Sequence, residues 1–155
     1  MQLKIFLLGL CCIVFSSVYS QTHQQDSAQV AQTLIQLASI CKNVDFNDPK
    51  SFELGYFYKA APYVVYRGDD KSRAWKTVSN YKNELEKNGV DAICERINQT
   101  VNQDSKYKIV QYFTENESEG TWHILIVTYY RKGIEKSSAF AFLHIENNFA
   151  LGDID

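Results

Sequence analysis

From Val30 the apolar residues fall at Val30, Ala31, Leu34, Leu37, Ala38 and Cys41, the three-and-four spacing of one helix face, and the stripe stops before Asn43. Asp26 or Ser27 is placed to cap this helix. Residues 21–26, Gln-Thr-His-Gln-Gln-Asp, are polar throughout and read as a flexible segment ahead of it, with His23 inside it. Asn47, Asp48 and Pro49 interrupt the pattern, and Pro49 suits the first turn of a short helix through Tyr58 that Gly55 weakens. Residues 60–66, Ala-Ala-Pro-Tyr-Val-Val-Tyr, favour a strand, because β-branched and aromatic side chains follow a proline; Arg67, Gly68, Asp69 and Asp70 end it. Ser72 or Asp70 then caps a helix carrying Trp75, Val78, Tyr81 and Leu85 on one face, stopped at Asn88-Gly89. Val90, Ile93, Cys94, Ile97 and Val101 form the next helical stripe, begun near Asp91.

The last third changes period. Residues 107–113, 121–131 and 137–147 are rich in aromatic and β-branched residues, and a loop over 115–120 and a turn near Lys132-Gly133 separate them, so they predict a three-stranded antiparallel meander. Helices followed by strands make an α+β domain, with N-terminal helices packed on a curved antiparallel sheet. A two-residue turn at Lys132-Gly133 fixes the register: Trp122 faces Leu143, Ile124 faces Ala141 and Ile126 faces Ala139 on one side, with His123 opposite Phe142 and Leu125 opposite Phe140 on the other. Both sides are apolar, so both must be covered. Ala139 and Ala141 leave room for helices, which assigns their side to the core and the Phe140 and Phe142 side to a dimer contact or a covering segment.

Charge and composition narrow the class of protein. The 155 residues carry 16 basic and 18 acidic side chains for a net charge of −2, which offers no electrostatic footprint for nucleic acid. Hydrophobic residues at 45% and charged ones at 22% are ordinary for a globular chain and exclude a disordered or collagen-like one. Lys4, an uncharged run over residues 5–15 and the small residues around Ser20 have the form of a signal peptide over residues 1–20, cleaved after Ser20. No later stretch is long and apolar enough to span a membrane, so the mature chain is expected in the periplasm or outside the cell as one domain over 27–155. Cys41 and Cys94 then reach an oxidising space as an even pair, either disulfide-bonded or packed as two buried thiols. Neither has a Cys or His neighbour at metal-ligand spacing, and no cofactor or metal is expected.

The order of elements resembles the NTF2-like superfamily, the SnoaL-like or cystatin-like α+β cone. The resemblance is carried by the opening amphipathic helix, the Ala-Ala-Pro-Tyr-Val-Val-Tyr-Arg-Gly segment, the closing hairpin and the ending Phe-Leu-His-Ile-Glu-Asn-Asn-Phe-Ala-Leu-Gly-Asp-Ile-Asp over 142–155. It implies a cone whose last strand lies in that ending. The superfamily holds isomerases, dehydratases, hydrolases, transport adaptors and immunity proteins, and no catalytic motif of these transfers to this chain residue by residue.

Candidate chemistry is sparse. His123 and His144 sit diagonally across the hairpin with Glu146 nearby, as acid–base groups or as strand-end histidines satisfied by a neighbour. Asp69 with Asp70 is a carboxylate pair or a helix cap. Asp153 and Asp155 read as a solvated tail, and Asn98-Gln-Thr100 and Asn116-Glu-Ser118 are glycosylation sequons if the source is eukaryotic. The chain holds ten Tyr, nine Phe and two Trp; Tyr63, Tyr66, Trp75, Tyr81, Tyr112 and Trp122 are the set expected to line a ligand pocket. The leading expectation is an exported, non-catalytic domain that binds a small apolar or aromatic ligand or a protein partner and forms a homodimer through its sheet. The alternatives are a small isomerase, dehydratase or hydrolase using His123 or His144, and an immunity-like or envelope-assembly protein.

Overall fold

A computed structural model describes residues 23–42, 44, 46, 55–68, 77–103 and 106–155. The chain has the α+β arrangement its pattern predicts, helices followed by an open antiparallel sheet. Helix α1 covers residues 23–41, so it already includes part of the polar segment read as flexible. Helix α2 runs Gly55–Ala60 and passes into a single 3-10 turn, Ala61–Tyr63, with Pro62 in its first turn. Helix α3, Lys87–Gln99, follows a second 3-10 turn, Glu84–Glu86.

The sheet has four strands rather than three: β1 (Lys108–Glu117), β2 (Gly120–Arg131), β3 (Ile134–Ile145) and β4 (Asn148–Ile154), each paired with the next. Between β2 and β3, Lys132 (φ 53°) and Gly133 (φ 78°) make the turn with both central residues left-handed, whose twist matches that of the flanking strands. All five predicted cross-strand pairs between β2 and β3, including Trp122 with Leu143 and His123 with Phe142, are present. Asp153 and Asp155 are not a free tail: Asp153 pairs with Ala141, and the Asp155 backbone exchanges two 3.0 Å hydrogen bonds with Ala139. Beyond β4, Val64 bridges Leu151 in parallel and Val65 bridges Val78, which extends the sheet by two short extended pieces. The pairing of β1 with β2 shifts between Ile109 and Gln111, leaving Val110 as a bulge.

The assignment of the two sheet faces is the reverse of the expectation. Phe140 and Phe142 are fully buried beneath the helices, among Val30, Leu34, Leu37, Phe57, Ile97, Leu125 and Leu151. Ala139 and Ala141 lie on the other side, in a smaller cluster with Trp122, Ile124, Leu143, Ile145, Ala150 and Val65. The room needed for close packing comes from the helical side, where Ala38, Ala60 and Ala61 face the core, so the sheet supplies the bulk.

The helix expected to carry Trp75, Val78, Tyr81 and Leu85 is also corrected. Residues 77–80 are extended, with Tyr66 N–H donating to Thr77 O at 2.9 Å and Ser79 N–H to Val64 O at 2.8 Å. Asn80 Oδ1 then accepts from Lys82 N at 3.0 Å and Asn83 Oδ1 from Leu85 N at 3.2 Å, local turns that compete with a helix and leave Leu85 85% exposed. The buried Glu86 carboxylate holds this loop, accepting from Asn80 N at 2.6 Å and from Asn83 Nδ2 at 3.0 Å. Helix α3 runs through Asn88-Gly89 instead of stopping there, and its stripe is as read: Val90, Cys94, Ile97 and, just beyond it, Val101 are buried.

Cys41 at the end of α1 and Cys94 in α3 are joined as a disulfide, both fully buried. Two asparagines reinforce that junction: Asn98 Nδ2 donates to Cys41 O and Asn102 Nδ2 to Ala38 O, each at 2.8 Å. These carbonyls also accept from the backbone just past α1, Ala38 O from Lys42 N at 3.0 Å and Cys41 O from Val44 N at 3.1 Å, so the asparagines add a second bond to each from α3 and the turn after it. Tyr56 of α2 is tied to α3 by a hydrogen bond to Asp91, which also pairs with Lys87 at 2.7 Å. Burial, followed by that bond and the Asp91 charge, raises the Tyr56 phenol above its ordinary value. Among the described residues no helix is long and apolar enough to cross a membrane.

Candidate functional site

The sheet face away from the helices carries an open groove of about 430 Å³. Its floor is Trp122, Ile124, Ala139 and Ala141, four side chains that the β2–β3 register places on one face. Its walls come from the β1–β2 hairpin: Glu115 sits directly opposite Trp122, and Glu117 opposite Gly120 one step nearer the turn. Alternation along β1 puts residues 113, 115 and 117 on the Trp122 side and Tyr112 and Thr114 on the helix side. Glu119 in the turn and Asp153 and Asp155 at the end of β4 complete an acidic rim. Trp122 is seated on Gly152, where a Cβ would stand 2.7 Å from the indole, so only glycine lets β4 pass behind the ring.

Arg67 crosses this groove. Its guanidinium carbon lies 5.3 Å from the centroid of the Trp122 ring, a cation–π contact, and its Nη1 donates to both carboxylate oxygens of Glu119 at 3.1 and 3.2 Å. The side chains of Arg67 and Glu119 remain 48% and 31% exposed, so the pair is weak and exchangeable. Asp153 has a looser neighbour in Arg96, 3.9 Å away.

A second constellation occupies the helix side of the same sheet. Tyr112 Oη and His123 Nδ1 share a 2.7 Å hydrogen bond whose donor depends on the histidine tautomer. His123 and His144 each meet Phe149 edge-on, at 4.7 and 5.0 Å between ring centroids. His23, placed in a tail by the sequence pattern, instead packs edge-on against Tyr112 at 4.7 Å from the first turn of the described helix. All three histidines of the chain therefore gather around Tyr112 and Phe149. Among the described residues, no group of three or more His, Cys, Asp or Glu is arranged to hold a metal ion. Burial holds His123 below the ordinary histidine value of 6.5, Asp26 opposes this, and the nearby His144 and His23 add to the lowering.

That shift has a sign in solution. Below pH 6.5 the unfolded chain takes up a proton at His123 that the folded chain refuses, so this contribution to stability is complete above 6.5 and declines as pH falls from there. We expect the thermal midpoint of the protein to drop across the acidic half of about pH 5 to 8, and His123→Gln to flatten that slope. Scanning calorimetry of both proteins at matched ionic strength checks it; parallel slopes would rule His123 out as the titrating group.

The six aromatic residues expected around one pocket are distributed over several places. Tyr63 accepts a 2.8 Å hydrogen bond from Gln36 Nε2 on α1, and Tyr81 is exposed, edge-on to Tyr58 at 5.5 Å. The Tyr66 ring folds back over Gly68, Tyr112 lies with the histidines, and Trp122 floors the groove on the opposite face. Trp75 and Asp69 lie outside the described residues. The acidic rim is not among the residues expected from the sequence, although part of its signal is present: Glu115 and Glu117 stand two positions apart, the period that puts side chains on one face of a strand, and Glu119 follows in the turn. No protein-family model matches the chain, and no curated protein or solved structure matches it significantly.

Proposed function

We propose that this is an exported, NTF2-like binding module that takes a small ligand with an apolar or aromatic body into the groove over Trp122. The observation that carries the reading is the groove itself: about 430 Å³ of open space with Trp122, Ile124 and two alanines as its floor. That volume falls in the range of small-molecule sites, and an indole plus alkyl floor beneath polar walls is the composition such sites use. The helix-facing side of the sheet is consumed by the core, which leaves the opposite side for recognition. Export rests on the leader-like first 20 residues and agrees with a disulfide between Cys41 and Cys94.

A nitrogen-labelled mature chain titrated with indole tests the reading. The expected result is a saturable shift of the Trp122 indole N–H and of the amides of Ile124, Ala139 and Ala141, with the His123 cluster unmoved. Shifts confined to Tyr112 and His123 would instead favour the second reading, a small enzyme. One observation supports that alternative: His123 is buried, kept neutral by burial and hydrogen-bonded to a phenol, as an acid–base pair would be.

A further inference from the structure

The charge around the groove specifies its ligand more narrowly, on the reading that the groove binds one. Glu115, Glu117, Glu119, Asp153 and Asp155 line it, and among the described lining residues Arg67 is the one cation. Arg67 is also the group that sits on the indole face, within the roughly 6 Å at which a ring attracts a cation, while its Nη1 is held by Glu119. The groove thus already binds a guanidinium, supplied by its own chain, in the two ways a protein recognises a cationic ligand: an aromatic face below and a carboxylate beside.

We propose that the groove selects a small ligand whose aromatic or apolar body bears an amine or guanidinium cation, and that Arg67 holds the position this cation takes. Three features support the exchange. Arg67 is half-exposed, so releasing it from Trp122 returns it to water at little cost. Its departure leaves Glu119 and the indole face together to receive the incoming cation. Of the other four carboxylates Asp153 has a loose, half-exposed neighbour in Arg96 at 3.9 Å, and among the described lining residues the rim stays acidic, so an anionic ligand meets repulsion that a cationic one relieves. Trp122, with Ile124 and the two alanines beside it, then covers the ligand's apolar body.

The test compares three molecules of one shape class, tryptamine, indole and indole propionate, by calorimetric titration and by the shift of the Trp122 indole N–H of the mature protein. Tryptamine is expected to bind about tenfold more tightly than indole, and indole propionate more weakly than indole, with the preference shrinking as salt is added. Arg67→Gln removes the internal competitor and is expected to strengthen tryptamine binding about threefold while leaving indole within error. Glu119→Gln is expected to erase most of the preference for the amine, and Glu115→Gln combined with Glu117→Gln to reduce it by a smaller factor. Equal affinities for tryptamine and indole, with Trp122 shifting in both titrations, would overturn cation selection and leave the groove as a binding site. Failure of all three molecules to move Trp122 would overturn the groove reading itself.

Discussion

Reducing the Cys41–Cys94 disulfide is expected to cost the folded chain about 4 kcal/mol. The two cysteines are 53 residues apart, and the chain-entropy model gives about that figure for a loop of such length. The bond joins the end of α1 to the middle of α3, so without it the helical layer is held by packing, by the two asparagine caps and by the Tyr56–Asp91 tie. Urea unfolding of the oxidised protein, the reduced protein and a Cys41→Ala/Cys94→Ala double variant measures the loss. Reduction also expands the unfolded chain and should steepen the dependence on urea, so extrapolated free energies rather than midpoints are to be compared. A difference below about 1 kcal/mol would mean that the unfolded chain is already compact around this loop.

Truncating Phe142 to alanine should destabilise by about 3–5 kcal/mol, because a fully buried ring leaves a cavity that the helices above it cannot fill. Ala141→Leu, one residue away on the opposite face, should change stability by less than about 1.5 kcal/mol, since its side chain opens onto the groove. It should also weaken indole binding by occupying the floor. The pair of variants measures which sheet face carries the helices: a mild Phe142→Ala with a severe Ala141→Leu would reverse the assignment.

That assignment marks the boundary of what the sequence makes legible. The register of β2 on β3 follows from one turn, because Lys132-Gly133 fixes which residues oppose each other and period two does the rest. Which face turns inward does not follow, because Trp122, Ile124 and Leu143 are as apolar as Leu125, Phe140 and Phe142. The deciding residues are far away in sequence, the alanines of α1, α2 and the turn after α2 that make room for two phenylalanines. Strand β4 is obscured for a local reason: Phe149 and Leu151 face the helices while Ala150 between them joins the opposite cluster, so three successive residues are buried, and the extra residue at Gly152 then breaks the alternation. The Trp75-to-Leu85 segment has good helical spacing, yet Val78 is drawn into a bridge with Val65, and Asn80 and Asn83 bond their own backbone. The candidate site was half visible. Trp122 and its floor partners follow from the hairpin, whereas Arg67 reaches them from a segment 55 positions earlier in the chain, a proximity created only when Val65 pairs with Leu151.

The bulge at Val110 bears on how copies of the chain behave at high concentration. In the strand order β1 is an outer strand, and an outer strand offers unpaired backbone groups on which another chain can template. The shift between Ile109 and Gln111 interrupts that row near its start. Along the remainder, stacking a second β1 parallel and in register would set Glu115 on Glu115 and Glu117 on Glu117, with Lys108 on Lys108 at the far end. Like charges at both ends of the strand thus resist fibril-type growth, so the carboxylates that line the groove also guard the edge against aggregation.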